Sequence, residues 1–159
     1  MKKKEVIYLD TNIFVTYFLE REGFDKLKEF MDGSEDLEIR FVTSDWTLTE
    51  IVKVLIYEYK IKPKKVVDYI QKLQREKRVF ETKFSFIKVS EKESYDFDEF
   101  FYHIQKTILE YNGGIPDTIH SSIMQNNNIH KILTTDDGFQ GVKGIVSINP
   151  LKAKDLEND

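Results

Sequence analysis

Cysteine is absent from the 159 residues, which excludes disulfides and thiolate metal sites and fits a reducing, cytoplasmic setting. No apolar run approaches the roughly 20 residues that a bilayer span needs, so no membrane role is expected. Met1-Lys2-Lys3-Lys4 leads into only a short strand-like run and then an acid, which is not the pattern of a signal peptide. A basic excess is also missing: 24 Lys and Arg face 28 Asp and Glu, for a net charge of −4. A polyanionic partner therefore has to be met by a local patch or through bound cations. There is no internal repeat, low-complexity stretch or linker. What is present is ordinary for a globular chain, 40% hydrophobic and 33% charged. Residues 1–150 read as one domain and 151–159 as a polar tail.

The chain is organised around Val6-Ile7-Tyr8-Leu9-Asp10-Thr11-Asn12. Four apolar residues in succession predict a strand buried on both faces, because a half-solvated strand would alternate. Asp10 then falls at its carboxyl end, where open parallel α/β sheets build their sites. Thr11 or Asn12 can cap the following helix, and capping is equally the plainest use for Asp10 itself. Residues 12–20 read as a short buried helix, and Phe24, Leu27, Phe30 and Met31 recur at helical spacing. A second strand is expected over 39–43, then a helix from Ser44 or Asp45 to about Tyr59, and another from Pro63. Residues 85–89 suggest a third strand and 94–111 a long helix. Pro116 opens a further helix, which Asn126-Asn127-Asn128 closes; 132–134 and 145–148 complete the strands. This alternation predicts a three-layer α/β/α domain.

Four acids stand where such a sheet would gather them. Asp10 follows the first strand. Glu50 lies on a helix face shared with Trp46, Val54 and Tyr57, so it either pairs with an unseen base or lines a site. Asp117 follows Pro116 in a first turn, where an acid also favourably meets the helix dipole. Asp136 sits just past the fourth strand in Thr134-Thr135-Asp136-Asp137-Gly138, which as a plain turn needs no chemistry. Each has a bland explanation, but one shared cause accounts for all four. Close carboxylates repel by roughly 4 kcal/mol per pair at an effective dielectric of 20. Such a cluster protonates or recruits a counter-charge. Oxygen ligands without Cys or a His pair favour Mg2+ or Mn2+ over Zn2+, which is the chemistry of metal-assisted phosphodiester hydrolysis.

Leu9-Asp10-Thr11-Asn12-Ile13-Phe14, Ser44-Asp45-Trp46-Thr47-Leu48-Thr49-Glu50-Ile51, Pro116-Asp117-Thr118-Ile119-His120 and Leu133-Thr134-Thr135-Asp136-Asp137-Gly138-Phe139 follow in an order and spacing that resembles the PIN-domain ribonucleases. The likeness is to the small VapC-like toxin type and spans residues 5 to about 148. It implies a five-stranded parallel sheet of order 3-2-1-4-5 with helices on both faces. It further implies Asp10, Glu50, Asp117 and Asp136 around Mg2+ or Mn2+, with Glu50 a ligand or the group orienting the attacking water. Thr11, Asn12 and Thr134 fall on the supporting polar positions. Asp137-Gly138 departs from the usual basic–acidic pair, which leaves Asp137 as an alternative to Asp136; the Thr-x-Asp spacing from Thr134 favours Asp136. His120 occupies a position that is often His or apolar and carries no signal of its own.

By the same resemblance the substrate is RNA, the partners are a small antitoxin and a second copy of the chain, and the activity is that of a metal-dependent endoribonuclease. Lys64, Lys65, Lys72 and Arg75 crowd the helix after Pro63 and could contact phosphates, or could be a solvated face. Two other enzyme classes with an acid after strand one fit less well. A haloacid-dehalogenase-type phosphatase needs a second Asp where Asn12 stands, and a receiver domain needs a second acid and a late Lys. The strongest competitor is a catalytically inactive PIN-like module that binds RNA or protein.

Overall fold

The computed structural model describes residues 4–34, 37–87, 105 and 114–152. Its centre is β1 (Glu5–Leu9), flanked in parallel by β2 (Ile39–Ser44) and β5 (Lys131–Leu133). A strand with neighbours on both edges and helices on both faces meets no water, and Ile7, Tyr8 and Leu9 are buried. Side chains alternate across it. Ile7 and Leu9 join the core formed with α1 (Thr11–Leu19), α2 (Phe24–Asp32), α3 (Asp45–Lys53) and α4 (Pro63–Glu76). Tyr8 points to the opposite core, with Ile123 and Met124 of α5 (Ile115–Asn126) and with Phe139. The result is helices on both faces of a mostly parallel sheet.

The parallel strands run β4 (Thr82–Ile87), β2, β1, β5, β6 (Val146–Ile148), which is the 3-2-1-4-5 order expected. The strand count differs. A sixth strand, β3 (Arg78–Val79), pairs antiparallel with the start of β4, so the sheet is mixed rather than wholly parallel. The expected strand at 85–89 correspondingly begins at Thr82, where buried Thr82 and Phe84 alternate with exposed Lys83 and Ser85. The hairpin is hidden in sequence because its turn, Phe80-Glu81, lacks the usual Gly or Asn. Phe80 adopts a left-handed φ of 53°. Edge contacts of its ring with Tyr17 and Phe24, at centroid separations of 4.9 and 5.1 Å, offset a strain of about 1–2 kcal/mol.

Two further features bear on function. Asp10, rather than Thr11 or Asn12, is the residue at the N-cap of α1, in extended conformation, and it accepts from the Thr11 N–H at 2.7 Å. The helix expected to run unbroken to about Tyr59 is α-helical only to Lys53 and continues as a π-helical turn over Val54–Glu58. The expected 94–111 helix and the 153–159 part of the tail lie outside the described residues, although Gln105 is helical. Among the described residues no helix is long and apolar enough to cross a membrane.

Candidate active site

The carboxyl ends of β1 and β5 open onto a cleft of about 190 Å3 lined by Asp10, Asn12, Glu50, Asp117 and Asp136 among others. Each acid reaches it by a different route. Asp10 caps α1 directly after β1, and Glu50 comes from α3, which starts immediately after β2. Asp117 is in the first turn of α5, and Asp136 follows β5. The structure thus brings all four together.

Asp10 is 4% exposed, and its oxygens accept from the Thr11 N–H and from Thr134 Oγ1 at 2.8 Å. Burial nevertheless dominates and pushes its pKa up to about 6, with Asp136 adding to the rise and His120 opposing it. Asn12 works as a brace between the first turn of α1 and the loop after β5. Its Nδ2 donates to Asp136 Oδ2 at 2.7 Å, and its Oδ1 accepts the Thr135 N–H at 3.1 Å. Burial, and then the charge of Asp136, raise the pKa of Asp117. Asp137 turns the other way, to Lys152 Nζ at 2.6 and 2.7 Å and to Gln140 Nε2 at 2.8 Å. Gly138 explains how the two acids fit side by side: a Cβ there would fall 2.6 Å from Asp117 Oδ2 and 3.2 Å from Asp136 Oδ1.

Glu50 has the base that its sequence context left open. His120, wholly buried one turn beyond Asp117, places Nε2 2.6 Å from Glu50 Oε2 and 3.8 Å from Asp10 Oδ1. Thr11 Oγ1 also donates to Glu50 Oε2. The other ring nitrogen, Nδ1, is 2.9 Å from the Tyr8 hydroxyl, which meets Ser44 Oγ at 2.7 Å and Thr47 Oγ1 at 3.2 Å. Burial works against a charged imidazole, but Tyr8, Glu50 and Asp10 prevail and hold the His120 pKa up at about 10. Burial likewise opposes ionisation of Glu50, and the bond and charge of His120 reverse it, leaving its pKa lowered. Glu50 therefore both pairs with a base and lines the cleft. His120 is the residue that sequence reasoning passed over; the available signal was its place three residues after Asp117, on the same side of a helix.

The basic residues of α4 lie elsewhere. Lys64, Lys65, Lys72 and Arg75 are exposed, none lines the acidic cleft, and Lys65 and Lys72 border a separate groove with Tyr17, Phe18 and Tyr69.

A family model described as the PIN domain matches residues 7–145. No curated protein sequence matches the chain. Among solved structures, VapC20 of Mycobacterium tuberculosis, described as a sarcin–ricin-loop-cleaving toxin, is similar with a TM-score of 0.61 at 13% identity, over 86% of this chain and 95% of that one. A toxin–antitoxin complex from Klebsiella pneumoniae gives 0.56 at 20% identity, over 91% and 97%. VapBC2 of Rickettsia felis, bound to a fragment of its promoter DNA, gives 0.59 at 14% identity, over 91% and 98%. At these identities the structures speak for the fold, and the match that runs from the middle of β1 almost to β6 speaks for descent: the chain belongs to the PIN domain family.

Proposed function

We propose that the protein is a Mg2+- or Mn2+-dependent endoribonuclease that hydrolyses RNA phosphodiester bonds and serves as the toxin of a toxin–antitoxin pair. The observation that carries this reading is the crowding of four carboxylates, 126 residues apart at the extremes, into one cleft. Asp10 and Asp117 are held there against burial and mutual repulsion, an arrangement that a hard cation relieves. The donor chemistry fits. Asp10, Glu50 and His120 offer ligand atoms within 4.8 Å of one another, but His120 is held protonated and spends its Nε2 proton on Glu50. Oxygen donors remain, which suit Mg2+ or Mn2+. A bound cation supplies a hydroxide-like water and offsets charge on the phosphoryl group.

The residues of the chain divide the remaining work. Asp10, Asp117 and Asp136 hold the cation, with Asp10 central; Glu50 is a further ligand or orients the attacking water. Thr11, Asn12 and Thr134 fix those carboxylates by hydrogen bonds, as the groups behind metal ligands commonly do. Lys64, Lys65, Lys72 and Arg75 supply phosphate contacts away from the cleft. A small antitoxin is the partner, which the likeness to the K. pneumoniae toxin–antitoxin complex supports, and by the family resemblance the chain pairs as a homodimer in the cytoplasm. Residues 1–150 act as one domain.

Mn2+ is expected to raise the melting temperature and to activate cleavage of RNA, with EDTA abolishing both. Because Asp10 must ionise to bind, the apparent Mn2+ affinity should fall about tenfold per pH unit below about 6. Thermal shift and calorimetry between pH 5 and 8 measure this, and a protein indifferent to Mn2+ throughout would sink the reading. Gly138→Ala should reduce cleavage roughly tenfold or more, since a Cβ displaces the Asp117 carboxylate rather than backbone. Its melting temperature should stay within a few degrees of wild type, as surface changes usually do; equal cleavage would show that Asp117 has room to spare. The catalytically inactive RNA- or protein-binding reading is favoured by one observation, the engagement of Glu50 by His120 and Thr11. RNA binding without cleavage at saturating Mn2+ would establish it.

A further inference from the structure

The acidic cleft has to accept a polyanion, and among the described residues lining it Arg21 is the only base. Its guanidinium carbon stands 5.1 Å from the centroid of the Tyr59 ring, over the ring face, and Tyr59 lines the same cleft. Among the described residues Arg21 forms no ion pair, although Glu50 and Glu58 line the cavity with it. Five fixed N–H donors are thus kept beside the carboxylates without being spent on them.

The backbone builds this pair deliberately from two unrelated segments. Glu20 ends α1 in a left-handed conformation, φ 48° and ψ 47°, and the Arg21 N–H closes onto Thr16 O at 3.2 Å, which turns the chain back over the cleft. Tyr59 arrives from the far end of the helix that carries Glu50. In an uninterrupted α-helix a residue nine positions on would point about 180° away from Glu50. The π-helical turn over Val54–Glu58 changes that phase, and the Tyr59 N–H bonds Val54 O, five residues back, at 3.1 Å. Glu50, Val54 and Tyr59 then line one cavity. A π-turn forfeits regular helix geometry and is frequently found at functional sites.

We propose that Arg21 is a substrate-binding residue that holds the RNA phosphate next to the scissile one, and that Tyr59 is the positioning residue that fixes the plane of its guanidinium. This rests on the nuclease reading for the identity of the substrate, but the binding step itself does not require cleavage. An Arg backed by an aromatic face loses less conformational freedom on pairing with phosphate, and its fork matches two phosphate oxygens. The contact is made equally with ground and transition states, so its loss acts on binding rather than on turnover.

The test uses the full chain with Arg21→Ala, Arg21→Lys, Tyr59→Leu and Tyr59→Phe. A fluorescein-labelled 12-nucleotide RNA is titrated by anisotropy in Ca2+, and KM and kcat are measured on the same RNA in Mn2+. Arg21→Ala should weaken RNA binding and raise KM about tenfold with kcat within about twofold, and lower the salt slope by about 0.7. Arg21→Lys should recover part of the binding, Tyr59→Leu should lose about threefold, and Tyr59→Phe should match wild type. Mn2+ affinity by calorimetry and the melting temperature should be unchanged in all four. Should wild type bind RNA through Arg21 yet fail to cleave it, the nuclease reading falls and the phosphate contact stands. Unchanged RNA affinity in Arg21→Ala overturns the contact, as does a shift in Mn2+ affinity alone, which would assign Arg21 to charge balance in the cleft. Absence of RNA binding by wild type overturns it too.

Discussion

Asp10→Asn is expected to lower Mn2+-dependent RNA cleavage on the order of 10³-fold while leaving the fold intact. Asn matches Asp in shape and removes the charge and one acceptor oxygen, at a position 4% exposed where the cleft, the N-cap of α1 and Thr134 meet. Stability should move the opposite way to activity. The Asp10 pKa rises from 3.8 to about 6 on folding, so its contribution to stability is fully present below pH 3.8 and is lost as pH rises through about 6. Above that the ionised, cation-free carboxylate opposes folding by roughly 3 kcal/mol, against which stands the acceptor that Asn gives up. In EDTA at pH 7 the variant should therefore be at least as stable as wild type, the difference closing near pH 4. Urea denaturation from pH 4 to 8, paired with cleavage assays, reads both effects. Cleavage within twofold of wild type would remove Asp10 from the chemistry.

His120→Leu is expected to destabilise the protein by about 3–5 kcal/mol, the usual result of stripping one partner from a buried ion pair. That corresponds to a melting temperature lower by roughly 10 °C for a chain of this size. Glu50 would keep a charge with only the Thr11 hydroxyl beside it, and the Tyr8 hydroxyl would lose the ring nitrogen at 2.9 Å. The double variant with Glu50→Gln should recover most of the loss, because Glu50 then no longer keeps a charge without its partner. Thermal and chemical denaturation of the two single variants and the double one give the coupling directly. A loss below about 1 kcal/mol, or no recovery in the double variant, would mean that the pair is solvated and structurally idle.

How far the sequence foretold this follows from where each signal resides. The alternation of strands and helices was legible because β1 is an apolar run with an acid at its end and helical periodicities lie on both sides of it, whereas the order of the five parallel strands came only through the resemblance to the PIN-domain ribonucleases. The hairpin was not, since the residue that turns it is Phe80, whose left-handed backbone is held by tertiary contacts with Tyr17 and Phe24 instead of by a local preference. Nor was the π-turn, because Val54–Glu58 offers a helical pattern whichever hydrogen-bond spacing it adopts. The gathering of the four acids could be anticipated, from the places of Asp10 and Asp136 after strands, of Asp117 at a helix start and of Glu50 on an otherwise apolar helix face. His120 was legible only through its place three residues after Asp117; its partner Tyr8, 112 residues away, read from sequence as one more apolar member of β1.

The hairpin also decides what happens at the margins of the sheet. Among the described residues β3 covers the start of β4 with two residues and β6 closes the other border with three, so both outermost strands are short. Stubby outer strands of this kind discourage edge-to-edge polymerisation. The chain can thus keep a hydrophobic interior strand such as β1 without exposing a template for amyloid-like growth, even when it is made in excess.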